Sequence, residues 1–195
     1  TGKGCGGSLI APGWVLTAAH CIGGEQHVLH GSAARADASR AEIKRAFRHP
    51  DFDARSGRFD LGLIELAAEL EANTVSIMQP FDSRIRLNEE TTYELGGWGR
   101  TRRGVLSQRL LAASFAAREV LLDGWLVVLS AAEGPCSQDS GSPLIVRTDD
   151  RTPIIVGISS RTDGNLCTKR DGGYSVYARV DNAVDFLSRF GIEFN

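Results

Sequence analysis

Ser140 lies in Cys136-Ser137-Gln138-Asp139-Ser140-Gly141-Ser142-Pro143, a run of small and turn-forming residues that can leave a hydroxyl exposed with backbone N–H groups converging beside it. A serine hydroxyl is almost wholly un-ionised at neutral pH. As a nucleophile it needs an adjacent base, and an imidazole oriented by a carboxylate meets that need. His20, at the end of Trp14-Val15-Leu16-Thr17-Ala18-Ala19-His20-Cys21, and Asp60, ahead of Leu61-Gly62-Leu63-Ile64, fit the two roles. Read singly, each has a plainer explanation: Ser140 as a turn residue and Asp60 as the first residue of a strand.

Holding three such residues together requires a scaffold, and the chain reads as a β-rich one. Short apolar or alternating segments bounded by Gly, Pro, Asp and Asn recur at Gly7–Ile10, Trp14–Thr17, His27–His30, Leu61–Leu66, Thr92–Leu95, Pro143–Val146, Ile154–Ile158 and Tyr174–Val180. That spacing predicts an all-β barrel or sandwich. Val184, Leu187 and Phe190 fall at helical spacing behind Asp181 and Asn182, which can serve as N-caps, so a helix is expected to close the domain. The polar stretch from Ala41 to Phe59 reads as surface strand and loop. Leu110–Val120 is compatible with a strand or a helix, and Leu121–Leu129 is a further apolar run.

Composition narrows the function. At 195 residues the chain can form one domain or two small packed subdomains. Its hydrophobic share of 42% and charged share of 24% are those of a globular protein. The net charge is −2 and the arginines are scattered, so nucleic acid is not an expected partner. The longest apolar runs, such as Trp125–Leu129, fall far short of the roughly 20 residues that span a bilayer. No secretory signal pattern is visible. The four cysteines, Cys5, Cys21, Cys136 and Cys167, contain no CxxC and allow three pairings. With only His20, His27, His30 and His49 besides, a zinc site is disfavoured, leaving disulfides over four buried free thiols. No metal and no organic cofactor is expected.

Taken together, the flanking residues resemble the trypsin/chymotrypsin-like serine peptidase family. Cys5-Gly6-Gly7-Ser8-Leu9-Ile10 and Trp14–Cys21 resemble its histidine region, and Phe59-Asp60-Leu61-Gly62-Leu63-Ile64-Glu65-Leu66 its aspartate strand. Gly97-Trp98-Gly99 resembles the element between barrels, and Asp139-Ser140-Gly141-Ser142-Pro143-Leu144 the serine motif. Gly157-Ile158-Ser159-Ser160 is similar to the substrate-pairing strand, and Val176-Tyr177-Ala178-Arg179-Val180 to the family's close, so the likeness runs from about Gly4 to Leu187. The order His, Asp, Ser also differs from that of α/β-hydrolases and subtilisins, which weakens a lipase or esterase reading.

The resemblance implies two antiparallel six-stranded β-barrels, at about 1–95 and 96–180, with a C-terminal helix over 181–191 and the triad in the cleft between them. It implies disulfides Cys5–Cys21 and Cys136–Cys167 and a secreted or extracytoplasmic location, periplasmic in a bacterium. It further implies a serine endopeptidase with catalytic His20, Asp60 and Ser140, and an oxyanion hole formed by the backbone N–H groups of Gln138 and Ser140. Protein or peptide substrates and protein inhibitors are the implied partners. By the same resemblance, Gly134 falls at the bottom of the primary pocket, Thr162 and Ser175 on its walls, and Ser160 on the substrate strand. Small or medium uncharged residues are then expected before the scissile bond.

Four departures qualify these expectations. Gln138 and Ser142 stand where the family ordinarily has glycine, which makes a catalytically silent homologue acting as a binding module the rival reading. The family's inserting N-terminal segment, which pairs with the aspartate corresponding to Asp139, is expected to be missing ahead of Cys5, as in a trimmed chain, a core of a larger protein or a zymogen-like form. The span from Gly99 to Cys136 lacks a cysteine pair many animal members carry, as in a minimal member of the family. Arg161 replaces the usual aromatic residue beside the substrate strand.

Overall fold

The computed structural model describes residues 4–24, 27–71, 79–80, 91–116, 118–122, 125–130, 134–147, 151–162 and 173–192. The expected all-β arrangement is what it contains. In the first half lie β1 (Ser8–Ala11), β2 (Trp14–Thr17), β3 (His27–His30), β4 (Ser39–Arg48) and β5 (Gly62–Leu66). Pro12 and Gly13 close the β1–β2 hairpin, with Ala11 opposite Trp14; proline presets the backbone for such a turn. The sheet order is β1-β2-β5-β4-β3. The central strands β2 and β5 are buried along nearly their whole length, whereas β4 exposes much of its Ser39–Arg48 run. That contrast explains why the first two read as apolar runs and β4 as a charged segment.

The second sheet is built from β6 (Gln79–Pro80), β7 (Thr92–Gly97), β8 (Leu111–Ala116), β9 (Arg118–Leu122), β10 (Trp125–Ser130), β11 (Pro143–Arg147), β12 (Pro153–Thr162) and β13 (Gly173–Arg179). Its order is β8-β7-β11-β12-β13-β10-β9, with β6 pairing parallel to β12 and the other pairs antiparallel. Within the ambiguous stretch Leu110–Val120, residues 111–116 and 118–120 are strand: β8 pairs with β7 and β9 with β10, and the β pairing overrides the local ambiguity.

The C-terminal helix is short. A 3₁₀ turn over Val180–Ala183 leads into α1 (Val184–Ser188), and its N-cap is Ala183 rather than Asp181 or Asn182. Asp181 instead pairs with Arg179, so its carboxylate is taken up before the helix begins. What holds the helix is packing. Phe186 and Leu187 are buried in a cluster with Ile10, Leu16, Leu61 and Leu63 of the first half and Ile155, Ile158 and Val180 of the second. Phe190 stacks beside Phe47 and Trp14 at centroid distances of 4.6 and 5.3 Å. One apolar core therefore joins the helix to residues of both sheets.

His49 sits in this junction, stacked on Phe59 at 5.0 Å and tilted against Phe186 at 5.2 Å. Burial pushes its pKa below the ordinary 6.5, and Arg189 adds to this, against the opposing pull of a hydrogen bond with the Asn182 backbone and of Asp51. A histidine that folds neutral contributes stability fully above about pH 6.5, and the contribution is lost as pH falls from there toward the depressed folded value, because the unfolded chain takes up the proton first. Urea melts of the wild type should therefore lose more stability between pH 7 and 5 than melts of His49→Phe, which keeps the stack and removes the proton site. Equal losses in the two proteins would contradict this account.

Candidate active site

The turn that carries His20 follows directly from β2. Ala18 and Ala19 are fully buried, Cys21 N donates to Ala18 O at 3.1 Å and Ile22 N to Ala19 O at 3.1 Å, giving one 3₁₀ turn over Ala19–Cys21. The disulfide Cys5–Cys21, with Cα atoms 6.3 Å apart, ties that turn to the start of β1. Small residues matter because β5 passes close by: a Cβ at Gly62 would lie 3.0 Å from Ala18 O.

Asp60 precedes β5, after Phe59 in the left-handed region at φ 51°. Its carboxylate, only 2% exposed, accepts from His20 N at 2.8 Å on Oδ1. On Oδ2 it meets His20 Nδ1 at 2.6 Å and accepts from Ser160 Oγ at 2.6 Å. Burial pushes the Asp60 pKa up, but the hydrogen bonds from His20 and Ser160 and the imidazole's charge outweigh it and hold the carboxyl below its ordinary value. Facing an ionised carboxylate, Nδ1 must carry the proton, which leaves the lone pair on Nε2 of the exposed edge of the ring.

The Ser140 loop is held by backbone hydrogen bonds to Gly6 and Ser159. Gly6 N donates to Ser140 O at 2.7 Å and Gly141 N to Ser159 O at 2.8 Å. Gly141 takes φ 83°, and a Cβ there would come within 2.3 Å of Thr17 Oγ1 and 2.4 Å of Gly6 O. The serine loop thus lies against Thr17 and Ala18, at the foot of the His20 turn. No hydrogen bond joins the Ser140 hydroxyl to His20, whose Nε2 is 3.8 Å from Cys21 Sγ. Asp139 N donates to Cys136 O at 3.0 Å, while the N–H groups of Gln138 and Ser140 donate to no described residue.

Both glycine replacements are accommodated. Gln138 takes φ 73°, which costs a non-glycine residue about 1–2 kcal/mol. Its carboxamide turns toward Gly4, where a Cβ would lie 2.9 Å from Oε1. Ser142 is buried between Gly6 and Gly97, neither of which has a side chain to displace it. Asp139 occupies the space over Gly97 and Gly99, accepting from Gly99 N at 2.8 Å and Cys136 N at 2.9 Å. Burial raises its pKa against those two bonds and the more distant charge of Arg35. Beside it lies a cavity of about 260 Å³ that Gly134, Arg100 and Leu111 help to line.

Of the expected wall residues, Thr162 and Ser175 face each other across β12 and β13; Thr162 Oγ1 donates to Tyr174 O at 3.3 Å and Ser175 is buried. Ser160, expected on the substrate strand, holds Asp60 with its side chain, a contact for which a lone serine in the sequence gives no signal. Cys136 is disulfide-bonded, and Cys167 lies outside the described residues. Among the described residues, the one group of three ligand-type side chains is Cys5, His20 and Cys21, and its two sulfurs are already joined to each other. No described helix is long and apolar enough to cross a membrane.

Residues 1–187 match the trypsin family model, and the chain belongs to that family of serine proteases. It is similar to an ovochymase of Halocynthia roretzi, 30% identical over 94% of this chain and 13% of that protein. It is likewise similar to trypsin 5G1 of Aedes aegypti, 30% identical over 94% of this chain and 73% of the relative. Serine protease 28 of Mus musculus is 28% identical over 94% and 76%. The chain thus spans a small part of the first relative and about three quarters of the other two.

Because Gly141 has neither the space nor the backbone angle for a side chain, Gly141→Ala should lower stability by about 2 kcal/mol or more in denaturant melts. A loss under about 0.5 kcal/mol would mean that the serine loop can move off Thr17 freely.

Proposed function

We propose that the chain is a serine endopeptidase that cleaves peptide bonds through an acyl-enzyme, with Ser140 as nucleophile, His20 as general base and acid, and Asp60 as the group that orients the imidazole. The observation that carries this reading is the buried Asp60 carboxylate, hydrogen-bonded to both His20 Nδ1 and His20 N. It fixes the ring with Nε2 on the edge away from Asp60, and the serine loop abuts the strand end that leads into the same turn.

In the reaction, Ser140 Oγ attacks the peptide carbonyl while its proton passes to His20 Nε2, and the imidazolium is stabilised by Asp60. The developing oxyanion is met by the N–H groups of Gln138 and Ser140, both unclaimed by described residues, each such donor commonly worth about 2.7–4 kcal/mol. Nε2 then gives its proton to the departing amine. Water, deprotonated in turn by His20, attacks the acyl-enzyme and releases Ser140. No hydrogen bond joins Ser140 to His20 here, and on this reading it forms when substrate is bound, as is common in sites without substrate.

Small or medium uncharged residues before the scissile bond remain our proposal for specificity, since Gly134, Thr162 and Ser175 include no charged side chain. The Gln138 side chain, lying toward Gly4, supports restricted subsites on the leaving-group side and weak binding of bulky protein inhibitors. The Cys5–Cys21 disulfide supports an extracytoplasmic location. The rival reading is a silent homologue that binds protein ligands without cleaving them; it is raised by the non-glycine residue at 138, although Gln138 keeps the positive φ of a glycine there.

Fluorophosphonate labelling separates the two. The wild type should label and Ser140→Ala should not, while Asp60→Asn should slow turnover of a peptide substrate by about 10³–10⁴-fold through the wrong imidazole tautomer. Absence of labelling in the wild type would favour the binding module. Gln138→Gly should improve turnover of substrates with bulky leaving-side residues or binding of protein inhibitors; no gain in either would remove the crowding role assigned to Gln138.

A further inference from the structure

The loop that leads into Asp60 is closed on itself by Asp53. The Asp53 carboxylate accepts from Arg55 N at 2.9 Å and Ser56 Oγ at 2.6 Å, Asp53 N donates to Arg58 O at 3.1 Å, and Gly57 N to Asp53 O at 2.7 Å. Two side chains of the second sheet grip consecutive carbonyls of this loop. Trp125 Nε1 donates to Gly57 O at 3.1 Å, and Arg161 Nη2 donates to Ser56 O. The Arg161 guanidinium also lies over the Trp125 ring, 5.2 Å from its centroid. Gly57 leaves room for this grip, since a Cβ there would come within 2.9 Å of Arg161 Nη2.

A guanidinium has five N–H donors, and here only Nη2 makes a hydrogen bond with a described residue. Arg161 is exposed, and no described carboxylate pairs with it. Asp53 is engaged within its own loop and Asp60 faces His20 and Ser160. Arg55 and Arg58 on the same loop add two further cationic side chains among the described residues.

This loop adjoins the chemistry. The register of β12 against β13 shifts between Ser159 and Arg161, so Ser160 turns inward to Asp60 and Arg161 outward to the 53–58 loop. On the peptidase reading, with Gly157–Ser160 as the substrate-pairing strand that the family resemblance implies, the acyl side of an extended substrate lies along that strand with Arg161 beside it, advancing about 3.3 Å per residue. Positions two to four residues upstream of the scissile bond then pass within reach of the fixed guanidinium.

We propose that Arg161 is a specificity-determining residue that selects substrates bearing glutamate or aspartate two to four residues upstream of the scissile bond, offering the carboxylate the N–H groups left free by Ser56 and Trp125. Arg161 is held in place before substrate arrives, which lowers the ordering cost of the contact, and its planar fork suits a carboxylate. The inference deepens the peptidase reading and takes the direction of the substrate from it. For an exposed pair the attraction itself is worth about 1.5-fold to fivefold, and repulsion of a lysine at the same position widens the contrast between the two charges.

The test uses matched fluorogenic peptides with an uncharged residue before the scissile bond and Glu, Gln or Lys at each of the three upstream positions. At one or more positions, kcat/KM should favour Glu over Lys by about threefold to tenfold at low salt, and the ratio should shrink in about 0.5 M salt. Arg161→Gln should bring the ratio near one, and Arg161→Glu should reverse it. The same peptides, dye-labelled, are titrated against Ser140→Ala and Ser140→Ala/Arg161→Gln by fluorescence anisotropy, which needs no turnover. A Glu preference in binding that depends on Arg161, in a protein whose wild type takes no fluorophosphonate, would overturn the peptidase reading and keep the role of Arg161. No preference in either assay, or one that Arg161→Gln leaves unchanged, would overturn this inference even if labelling succeeds.

Discussion

A carboxylate taken out of water must be paid for with hydrogen bonds, and the site depends on how that debt is met at Asp60. Its two oxygens face three donors, the backbone N–H and ring Nδ1 of His20 and the hydroxyl of Ser160. The first two come from the turn after β2 and the third from β12, so one buried charge fastens the first sheet to the second. Removing a partner from a buried charge typically costs about 3–5 kcal/mol. The left-handed Phe59 just before Asp60, stacked on His49, belongs to the same constraint: it turns the chain so that Asp60 points inward while Leu61 enters the core.

The second buried carboxylate shows how much the kind of partner matters. Asp139 accepts two backbone N–H bonds and has a raised pKa, whereas Asp60, with one backbone N–H, an imidazole and a hydroxyl, has a lowered one. Burial acts in the same direction on both. The difference lies in the donors, and it leaves Asp60 as the group that stays ionised beside the imidazole. Asp139 has a positional role instead: its side chain lies on the bare backbone of Gly97 and Gly99 and so anchors the chain directly ahead of Ser140.

Backbone clearance sets the serine loop. Ser140 has no side-chain bond to His20, and its location is fixed by Gly6 N, by the absence of a side chain at Gly141, and by Ser142 filling the space between Gly6 and Gly97. A serine in place of a glycine is therefore tolerated at 142 because its neighbours are glycines, while glutamine at 138 keeps the positive φ that a glycine would have taken freely.

His20, Asp60 and Ser140 were legible because their neighbours form extended, recognisable runs, and strands such as β2, β5 and β11 were legible because burial on both faces forces a continuous apolar run. The identity of β8 and β9 was not, since an apolar stretch satisfies helix and strand alike until a partner strand is present. Nor was the true start of α1, because Asp181 is drawn away by Arg179 and packing of Phe186 and Leu187 outweighs capping. The sequence by itself determined the class of fold, the family and the residue types of the site, for those rest on local pattern. Only the tertiary structure decided that Ser160 would be the third donor to Asp60 and that Arg161 would clasp the loop at Ser56, 105 residues earlier in the chain. Such contacts arise from sheet register and a strand irregularity, which no local run of residues encodes.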